Sequence, residues 1–194
     1  IVPWNFPLMI GIWKIAPALA CGCTLVVKPA EITPLSAIRL GELALEAGIP
    51  PGVLNIVTGK GSVVGDAMVA HKLIDKITFT GSPRVGRGIM QGASVNFKKI
   101  TLELGGKSAN IIFNDADIDA AVRAATSGIF FNAGQVCSAG SRILVQQDIH
   151  DEVVARFVER AKNIRMGNTT EKDTIMGPVV SENQMKTVLR YIDI

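Results

Sequence analysis

The sequence predicts an α/β fold built on a mainly parallel β-sheet. Strand-like and helix-like segments alternate along the 194 residues, which is the order that parallel strands with helical crossovers require. The segment 24–27 is short, apolar and rich in β-branched residues, as buried parallel strands are. Hydrophobic residues make up 48% of the chain, so the fold has enough apolar surface for a large core.

Residues 1–97, the first half of the chain, contain three predicted strands and three predicted helices. A helix over 34–47 has Thr33 as its N-cap, Pro34 at its first position and Gly48 after its end. The other elements of this half are a strand over 53–57, a short helix over 62–70, a strand over 76–80 and a helix from about 82 to 91. The apolar stretch 8–20 is not assigned to an element, and it is too short to span a bilayer, which takes about 20 apolar residues.

The second half continues the same alternation. A strand over 100–104 is stopped by Gly105 and Gly106, and this pair is the predicted domain boundary. The following elements are a strand over 109–113, a helix over 118–131 with Asp117 as its N-cap, a strand over 143–145, an amphipathic helix over 148–164 and a helix from 181 to 191.

Composition and charge exclude several classes of function. The net charge of +3 is small and the basic residues are scattered, so no nucleic-acid partner is expected. Three cysteines provide neither a disulfide framework nor a zinc site, and a reducing, cytoplasmic location fits best. Cys21 and Cys23 flank apolar segments and are interpreted as packing residues. No targeting segment is visible, and both ends look cut, so we expect the chain to be a section of a longer protein.

Three glycine-rich places were considered as phosphate sites. The segment 59–65 misses the Gly-x-Gly-x-x-Gly spacing by one residue, and 106–108 resembles the end of a P-loop but has Thr101 where the first glycine is required. The turn over 79–86 lies between a strand and a helix, where helix N–H groups favour a phosphate. There Gly81 allows close approach and Ser82 offers a hydroxyl; a capped helix after a tight turn is the alternative.

Cys137 is the strongest candidate for a reactive residue. It lies in a polar, glycine-rich turn at 134–141, unlike a core cysteine, and a thiol needs a base or a positive potential to become nucleophilic. His71 and His150 are predicted to be surface residues, which disfavours a Cys–His protease. Glu103 stands at an apolar strand end, where desolvation would make it a better base; a strand-edge glutamate that faces water is the alternative.

Five segments together resemble the aldehyde dehydrogenase superfamily, in that family's order and spacing. They are Pro-Trp-Asn-Phe-Pro at 3–7, Lys-Pro-Ala-Glu at 28–31, Phe-Thr-Gly-Ser at 79–82, Leu-Glu-Leu-Gly-Gly-Lys-Ser at 102–108 and Gly-Gln-Val-Cys at 134–137. The resemblance implies a variant Rossmann cofactor domain, of which residues 1–105 are part, and an α/β catalytic domain, of which residues 106–194 are part. It also implies that the full-length protein is a homodimer or homotetramer.

The resemblance further implies oxidation of an aldehyde to a carboxylic acid through a cysteine thiohemiacetal and thioester. Cys137 matches the nucleophile, and Glu103 matches the base that activates water. Asn5 and the Cys137 backbone N–H match the oxyanion hole. Lys14 matches a position that has a proton-relay role in some relatives. From the sequence itself, we interpret Lys14 as a lysine on the surface or at a helix end.

The cofactor implied by the resemblance is NAD, with NADP as the alternative. Lys28 and Glu31 match residues that hold the adenosine ribose, and a carboxylate near the 2′-hydroxyl disfavours a 2′-phosphate. The remaining cofactor positions are Trp4, Gly81, Ser82, Val85, Gly86 and Leu104. The Glu-x-Phe-Gly-Pro motif that holds the nicotinamide ribose in the family does not occur in this sequence, so we expect it elsewhere in the full-length protein.

Other functions remain open at this point. In a CoA-acylating relative, CoA would replace water as acyl acceptor, but Glu103 favours hydrolysis. A non-catalytic or truncated structural relative is disfavoured by the joint presence of Cys137, Glu103 and Asn5. A thiol esterase would leave Lys28, Glu31 and the Gly81 turn without a purpose. The expected substrate is a small-to-medium aldehyde, with no membrane partner and no metal.

Overall fold

A computed structural model describes all 194 residues, which form two compact units, Ile1–Gly105 and Gly106–Ile194. We refer to them as the first and the second unit. The division falls within the pair Gly105 and Gly106, whose missing side chains leave few groups that could pack there. None of the helices has the length and hydrophobicity that crossing a membrane requires.

The first unit is composed of two strand–helix–strand modules preceded by a helix. Its elements in chain order are α1 (Pro7–Ala20), β1 (Leu25–Val27), α2 (Leu35–Glu46), β2 (Leu54–Ile56), α3 (Asp66–Ala70), β3 (Lys76–Gly81), α4 (Pro83–Ser94) and β4 (Lys99–Leu104). Strand β1 pairs with β2, and β3 pairs with β4, both in parallel. Parallel strands need a crossover connection, and α2 provides one for β1–β2 and α4 one for β3–β4.

The N-terminal dipeptide links the two strand pairs of the first unit. The Val2 N–H donates to the carbonyl of Lys28, which directly follows β1, at 3.0 Å, and the Thr80 N–H of β3 donates to the Ile1 carbonyl at 3.3 Å. These bonds satisfy backbone groups that the strand edges would otherwise leave unpaired. The segment thereby fixes where α1, which follows it, lies against the strands.

Two hydrophobic clusters stabilise the first unit. One contains Val2, Ile10, Ile15 and Val27, so α1 packs on β1. The other contains Val69, Ile77, Phe79 and Ile89, with Ile100 and Leu102 of β4 packed against it. Side chains alternate between the faces of a strand, so one face of β3 and β4 forms this core and the other carries Thr78, Thr80, Thr101 and Glu103.

The second unit is a third parallel module with additional helices. Its elements are β5 (Ala109–Ile112), α5 (Ile118–Phe130), β6 (Arg142–Val145), α6 (His150–Lys162) and α7 (Glu182–Ile192). Strands β5 and β6 pair in parallel, and Ile112, Val122 and Val153 form the core between strands and helices. The predicted N-cap Asp117 is confirmed, since its carboxylate accepts from the Ala120 N–H at 3.0 Å. The three parallel pairs confirm the predicted α/β class.

Four local features differ from what the sequence led us to expect. The stretch with no assigned element forms α1 and accommodates Pro17, because burial of Ile10 and Ile15 outweighs the hydrogen bond that proline cannot donate. Thr33 is not an N-cap: the helix begins at Leu35 without a side-chain cap, and the buried Thr33 hydroxyl has no hydrogen-bond partner.

The other two differences concern residues 61–70 and the cysteines at positions 21 and 23. The segment predicted as one helix over 62–70 is helical over its whole length, but its first part is a π-helical turn, Gly61–Gly65, and only α3 is a regular α-helix. Cys21 and Cys23 are exposed rather than packed. They follow the last turn of α1, where the chain reverses through Gly22 with a φ of 72° and turns both thiols outward.

The core of the second unit provides a direct test of packing. Val153 of α6 is 2% exposed, whereas its neighbour Val154 is 43% exposed. We expect Val153→Ala in the full-length protein to lower the free energy of unfolding by about 2 kcal/mol, through lost burial and the cavity left behind. Val154→Ala removes the same atoms at an exposed position, and we expect a change below about 0.5 kcal/mol. Equal effects in urea unfolding would contradict the assignment of this core.

Candidate active site

Cys137 lies in the loop between α5 and β6, and its side chain is exposed. The loop begins with an unusual backbone conformation. Asn132 and Ala133 have φ values of 52° and 55°, and Gly134 follows with a φ of 73°. These three successive residues are left-handed, which for residues with a side chain costs about 1–2 kcal/mol each. Strain of this kind persists only where surrounding contacts hold it.

Gln135 provides those contacts. Its side chain is 8% exposed, its Nε2 donates to the Asn132 carbonyl at 2.9 Å, and its Oε1 accepts from the Val180 N–H at 2.9 Å. The Asn132 amide in turn donates to the Gln135 carbonyl at 3.4 Å. In the sequence, Gln135 stands within the Gly-Gln-Val-Cys motif, which by itself indicates no separate role for the glutamine. An asparagine two residues before a glycine was the available signal, because both tolerate a positive φ.

Gly134 is required at its position for a steric reason as well. A β-carbon there would lie 3.1 Å from the Ile129 carbonyl oxygen of α5. The left-handed turn therefore passes close to the end of the helix, and the chain leaves it toward Val136 and Cys137. Beyond the cysteine, the Ala139 N–H donates to the Val136 carbonyl at 3.2 Å, so the sulfur is presented on a closed turn.

Glu103 lies near the end of β4 and pairs in register with Thr80. The predicted desolvation of this carboxylate is wrong for the first unit considered by itself, since Glu103 is exposed. The physical reason is the strand period: Ile100 and Leu102 point into the core, so Glu103 points to the opposite face. The alternative from the sequence, a glutamate accessible to water, describes this position better.

Lys14 is found on the same face of the first unit as Glu103. Its Nζ donates to the Thr78 hydroxyl at 3.1 Å, and the side chain is half-buried. Burial lowers the pKa of Lys14 below its ordinary value, and the nearby negative charge of Glu103 opposes part of that shift. The interpretation of Lys14 as a surface or helix-end lysine is therefore wrong: it is in the middle of α1 and contacts the sheet.

Asn5 and Trp4 precede α1, and both are partly buried. The Asn5 Oδ1 accepts from the Phe6 N–H at 3.1 Å. This bond uses the acceptor end of the amide at the start of the helix. The donor Nδ2 therefore lies at the other end of the amide, which is the end that an oxyanion hole requires.

Lys28 and Glu31 follow β1, at the carboxyl end of a parallel strand, where α/β folds bind ligands. Lys28 is only 3% exposed, and its Nζ donates to the Pro29 carbonyl at 3.0 Å. Glu31 accepts the Gly61 N–H on its Oε1 at 2.6 Å. This bond ties the carboxylate to the 59–65 segment, which misses the dinucleotide-binding fingerprint by one residue.

The remaining candidate cofactor residues surround the start of α4. Ser82 caps this helix, with its Oγ accepting from the Val85 N–H at 3.4 Å, so the capped-helix interpretation is confirmed as geometry. Gly81 and Gly86 lie close to other side chains: a β-carbon at Gly81 would be 2.4 Å from the Phe79 ring, and one at Gly86 would be 2.8 Å from Cδ2 at the flexible end of Leu104. Helix and strand therefore approach closely, with Leu104 and Val85 partly exposed.

The comparisons with known proteins identify the family. The model of the Aldehyde dehydrogenase family matches residues 1–194, and the chain belongs to this family. An aldehyde dehydrogenase of Emericella nidulans is 56% identical over 194 residues, which is all of this chain and 39% of that protein. Retinal dehydrogenase 2 of Gallus gallus is 55% identical over 193 residues, 99% of this chain and 37% of that protein.

Solved structures agree with this assignment. The crystal structure of betaine aldehyde dehydrogenase from Staphylococcus aureus in complex with NAD+ matches with a TM-score of 0.97 at 52% identity, over 100% of this chain and 38% of that one. At this level of similarity the α/β, aldehyde dehydrogenase-like fold is established. The chain spans about two fifths of the length of the relatives it matches.

The environment of Lys14 predicts a pH dependence of stability. The folded-state pKa of Lys14 is lowered from 10.5, so near pH 10 the folded protein binds fewer protons than the unfolded chain does. The cost of burying the charged amine is fully present below the folded pKa and disappears as the pH rises toward 10.5. We expect the full-length wild type to gain thermal stability relative to Lys14→Met from neutral to alkaline pH. A difference in thermal unfolding midpoint between wild type and Lys14→Met that stays the same at every pH would contradict this account.

Proposed function

We propose that the full-length protein oxidises an aldehyde to a carboxylic acid with NAD, using Cys137 as the nucleophile. The observation that carries the proposal is the exposed Cys137 on its left-handed turn, in a chain that belongs to the aldehyde dehydrogenase family. Residues 1–105 then belong to the cofactor domain and residues 106–194 to the catalytic domain. Both assignments are supported by the division of the chain after Gly105.

In this proposal the Cys137 thiol loses its proton to a base, and its sulfur adds to the aldehyde carbon to form a thiohemiacetal whose oxygen is negatively charged. The donor end of the Asn5 amide and the Cys137 backbone N–H stabilise that oxyanion, an effect of about 3–4 kcal/mol for one donor. Loss of hydride converts the thiohemiacetal into a thioester. NAD, when bound, supplies the hydride acceptor.

Glu103 is proposed to remove a proton from the water that hydrolyses the thioester. Its exposure lets water reach the carboxylate, and a charged carboxylate is the form that accepts a proton. Lys14 lies on the same face of the first unit, and its charge interacts with that of Glu103. This position supports a role for Lys14 in carrying the proton away, as the resemblance implied.

Three features of the first unit fit NAD. The start of α4 offers the Arg84 N–H and a helix dipole for the pyrophosphate, since Pro83 has no N–H and the Val85 and Gly86 N–H groups are hydrogen-bonded to Ser82. Gly81 and Gly86 let helix and strand approach closely beside it. The buried Lys28 and the anchored Glu31 suit the adenosine ribose. Since one Glu31 oxygen is fixed by Gly61, its negative charge is held in place and disfavours the 2′-phosphate of NADP. Trp4, Ser82, Val85 and Leu104 complete the proposed cofactor surface.

The remaining parts of the proposal concern the substrate and the assembly. Relatives more than half identical are named for betaine aldehyde, which is cationic, and for retinal, which is large and apolar. We therefore propose the aldehyde group itself as the recognised element. We also propose that the full-length protein is a homodimer or homotetramer. A cytoplasmic location is proposed because the three cysteines are free.

The nucleophile is tested by Cys137→Ala in the full-length protein. We expect aldehyde oxidation to fall at least about a thousand-fold while NAD binding stays within about two-fold, because only the sulfur forms the covalent bond. The measurement is the absorbance of the reduced nicotinamide, with NAD and with NADP, over a panel of aldehydes. Cys23→Ala removes another exposed thiol and should retain full activity. Loss of NAD binding in Cys137→Ala would instead show a structural cysteine.

The base is tested by Glu103→Gln, which keeps the shape of the side chain and removes its proton-accepting oxygen. We expect a burst of about one NADH per active site, followed by a steady rate at least about 100-fold slower, because the thioester accumulates. Rapid mixing with excess NAD separates the two phases. An unchanged steady rate would remove Glu103 from this role, and full rescue of the rate by CoA would favour the CoA-acylating alternative.

A further inference from the structure

Gln135 joins two separate pieces of the second unit. Its backbone N–H and its Nε2 both donate to the Asn132 carbonyl, at 3.1 and 2.9 Å, and its Oε1 accepts from the N–H of Val180, 45 residues later. Val180 precedes Ser181, the N-cap of α7. The side chain therefore connects the turn that leads to Cys137 with the beginning of a distant helix.

We propose that Gln135 is a positioning residue for the Cys137 sulfur. The inference rests on the proposed role of Cys137, and it adds a residue that the mechanism above does not use. Gln135 acts through the backbone: it holds Asn132, Ala133 and Gly134 in their left-handed conformation and so determines where the chain presents the thiol two residues later.

The chemistry of a glutamine side chain suits this role. Its amide has a donor end and an acceptor end, and the structure uses the donor on Asn132 and the acceptor on Val180. Because the side chain is 8% exposed, water does not replace a lost partner at low cost. Without these bonds Asn132 and Ala133 favour right-handed conformations, and a small displacement of a nucleophile lowers the rate of its reaction strongly.

The experiment compares three variants of the full-length protein. Gln135→Met keeps the length of the side chain and removes both ends of the amide. Gln135→Glu keeps the acceptor for the Val180 N–H and removes the donor to Asn132. Gln146→Met is the matched control: Gln146 also accepts a backbone N–H of a distant residue, Asn114, at 3.0 Å, and donates to Asp148, but it lies beyond the Cys137 loop.

Two readouts do not require turnover. Amide hydrogen exchange reports the turn at 131–137, and the rate of alkylation of Cys137 by iodoacetamide, followed by mass spectrometry of its peptide, reports the placement of the sulfur. We expect Gln135→Met to accelerate exchange in this turn at least about ten-fold and to lower the alkylation rate at least about five-fold, because the released turn no longer holds the thiol outward. Gln135→Glu should have intermediate effects, and Gln146→Met should match the wild type.

Turnover provides the third readout. We expect Gln135→Met to lower kcat at least about ten-fold while KM for the aldehyde and Kd for NAD stay within about two-fold. Unchanged exchange and alkylation, or faster exchange with unchanged alkylation and kcat, would overturn the positioning role. If Gln135→Met does not fold, the exchange, alkylation and kcat of Gln135→Glu are compared with those of the wild type and test the positioning role instead. A wild type that oxidises no aldehyde removes the proposed function, while exchange and alkylation still report whether Gln135 places the sulfur.

Discussion

The alternation of side chains along parallel strands is the constraint on which the first unit depends. In β3 and β4, every second residue enters the hydrophobic cluster under α4, which leaves the intervening residues on the opposite face. A shift of one residue would bury Glu103 and expose Leu102. The hydrophobic core therefore determines where the proposed base lies, and it places the base on the face that Lys14 approaches from α1.

The second unit holds the proposed nucleophile, Cys137, outside the core on an irregular loop. Three successive left-handed residues are unfavourable by themselves, and the fold stabilises them with hydrogen bonds from one buried side chain. The loop is thus irregular in conformation and well defined in its contacts. Such a loop can present a thiol to solvent without the flexibility that an exposed glycine-rich segment otherwise has.

The proposed cofactor surface shows how glycines and charges act together. Gly81 and Gly86 allow close packing of Phe79 and Leu104, which brings the start of α4 near the strand ends. Glu31 is held by the Gly61 N–H rather than by a cation. Its charge is therefore not compensated by a salt bridge, which is the basis of its proposed role in the preference for NAD over NADP.

Local patterns alone were sufficient for the α/β class, the order of most strands and helices, and the cap at Asp117, because these depend on nearest neighbours in the chain. The same patterns identified Cys137 as unlike a core cysteine, and motifs in register identified the family. The choice of Thr33 as a cap failed because the first helical turn was displaced by one residue. Helix α1 was missed because Pro17 is unfavourable locally, and burial against β1 overrides that preference.

Only the tertiary structure determined the environment of each candidate residue. The exposure of Glu103, the half-burial of Lys14, the outward thiols of Cys21 and Cys23, and the bond from Val180 to Gln135 depend on segments that are far apart in sequence. A single sequence records which residues could form such contacts. Which of them meet depends on how strands and helices pack, since packing brings together residues that no local period relates.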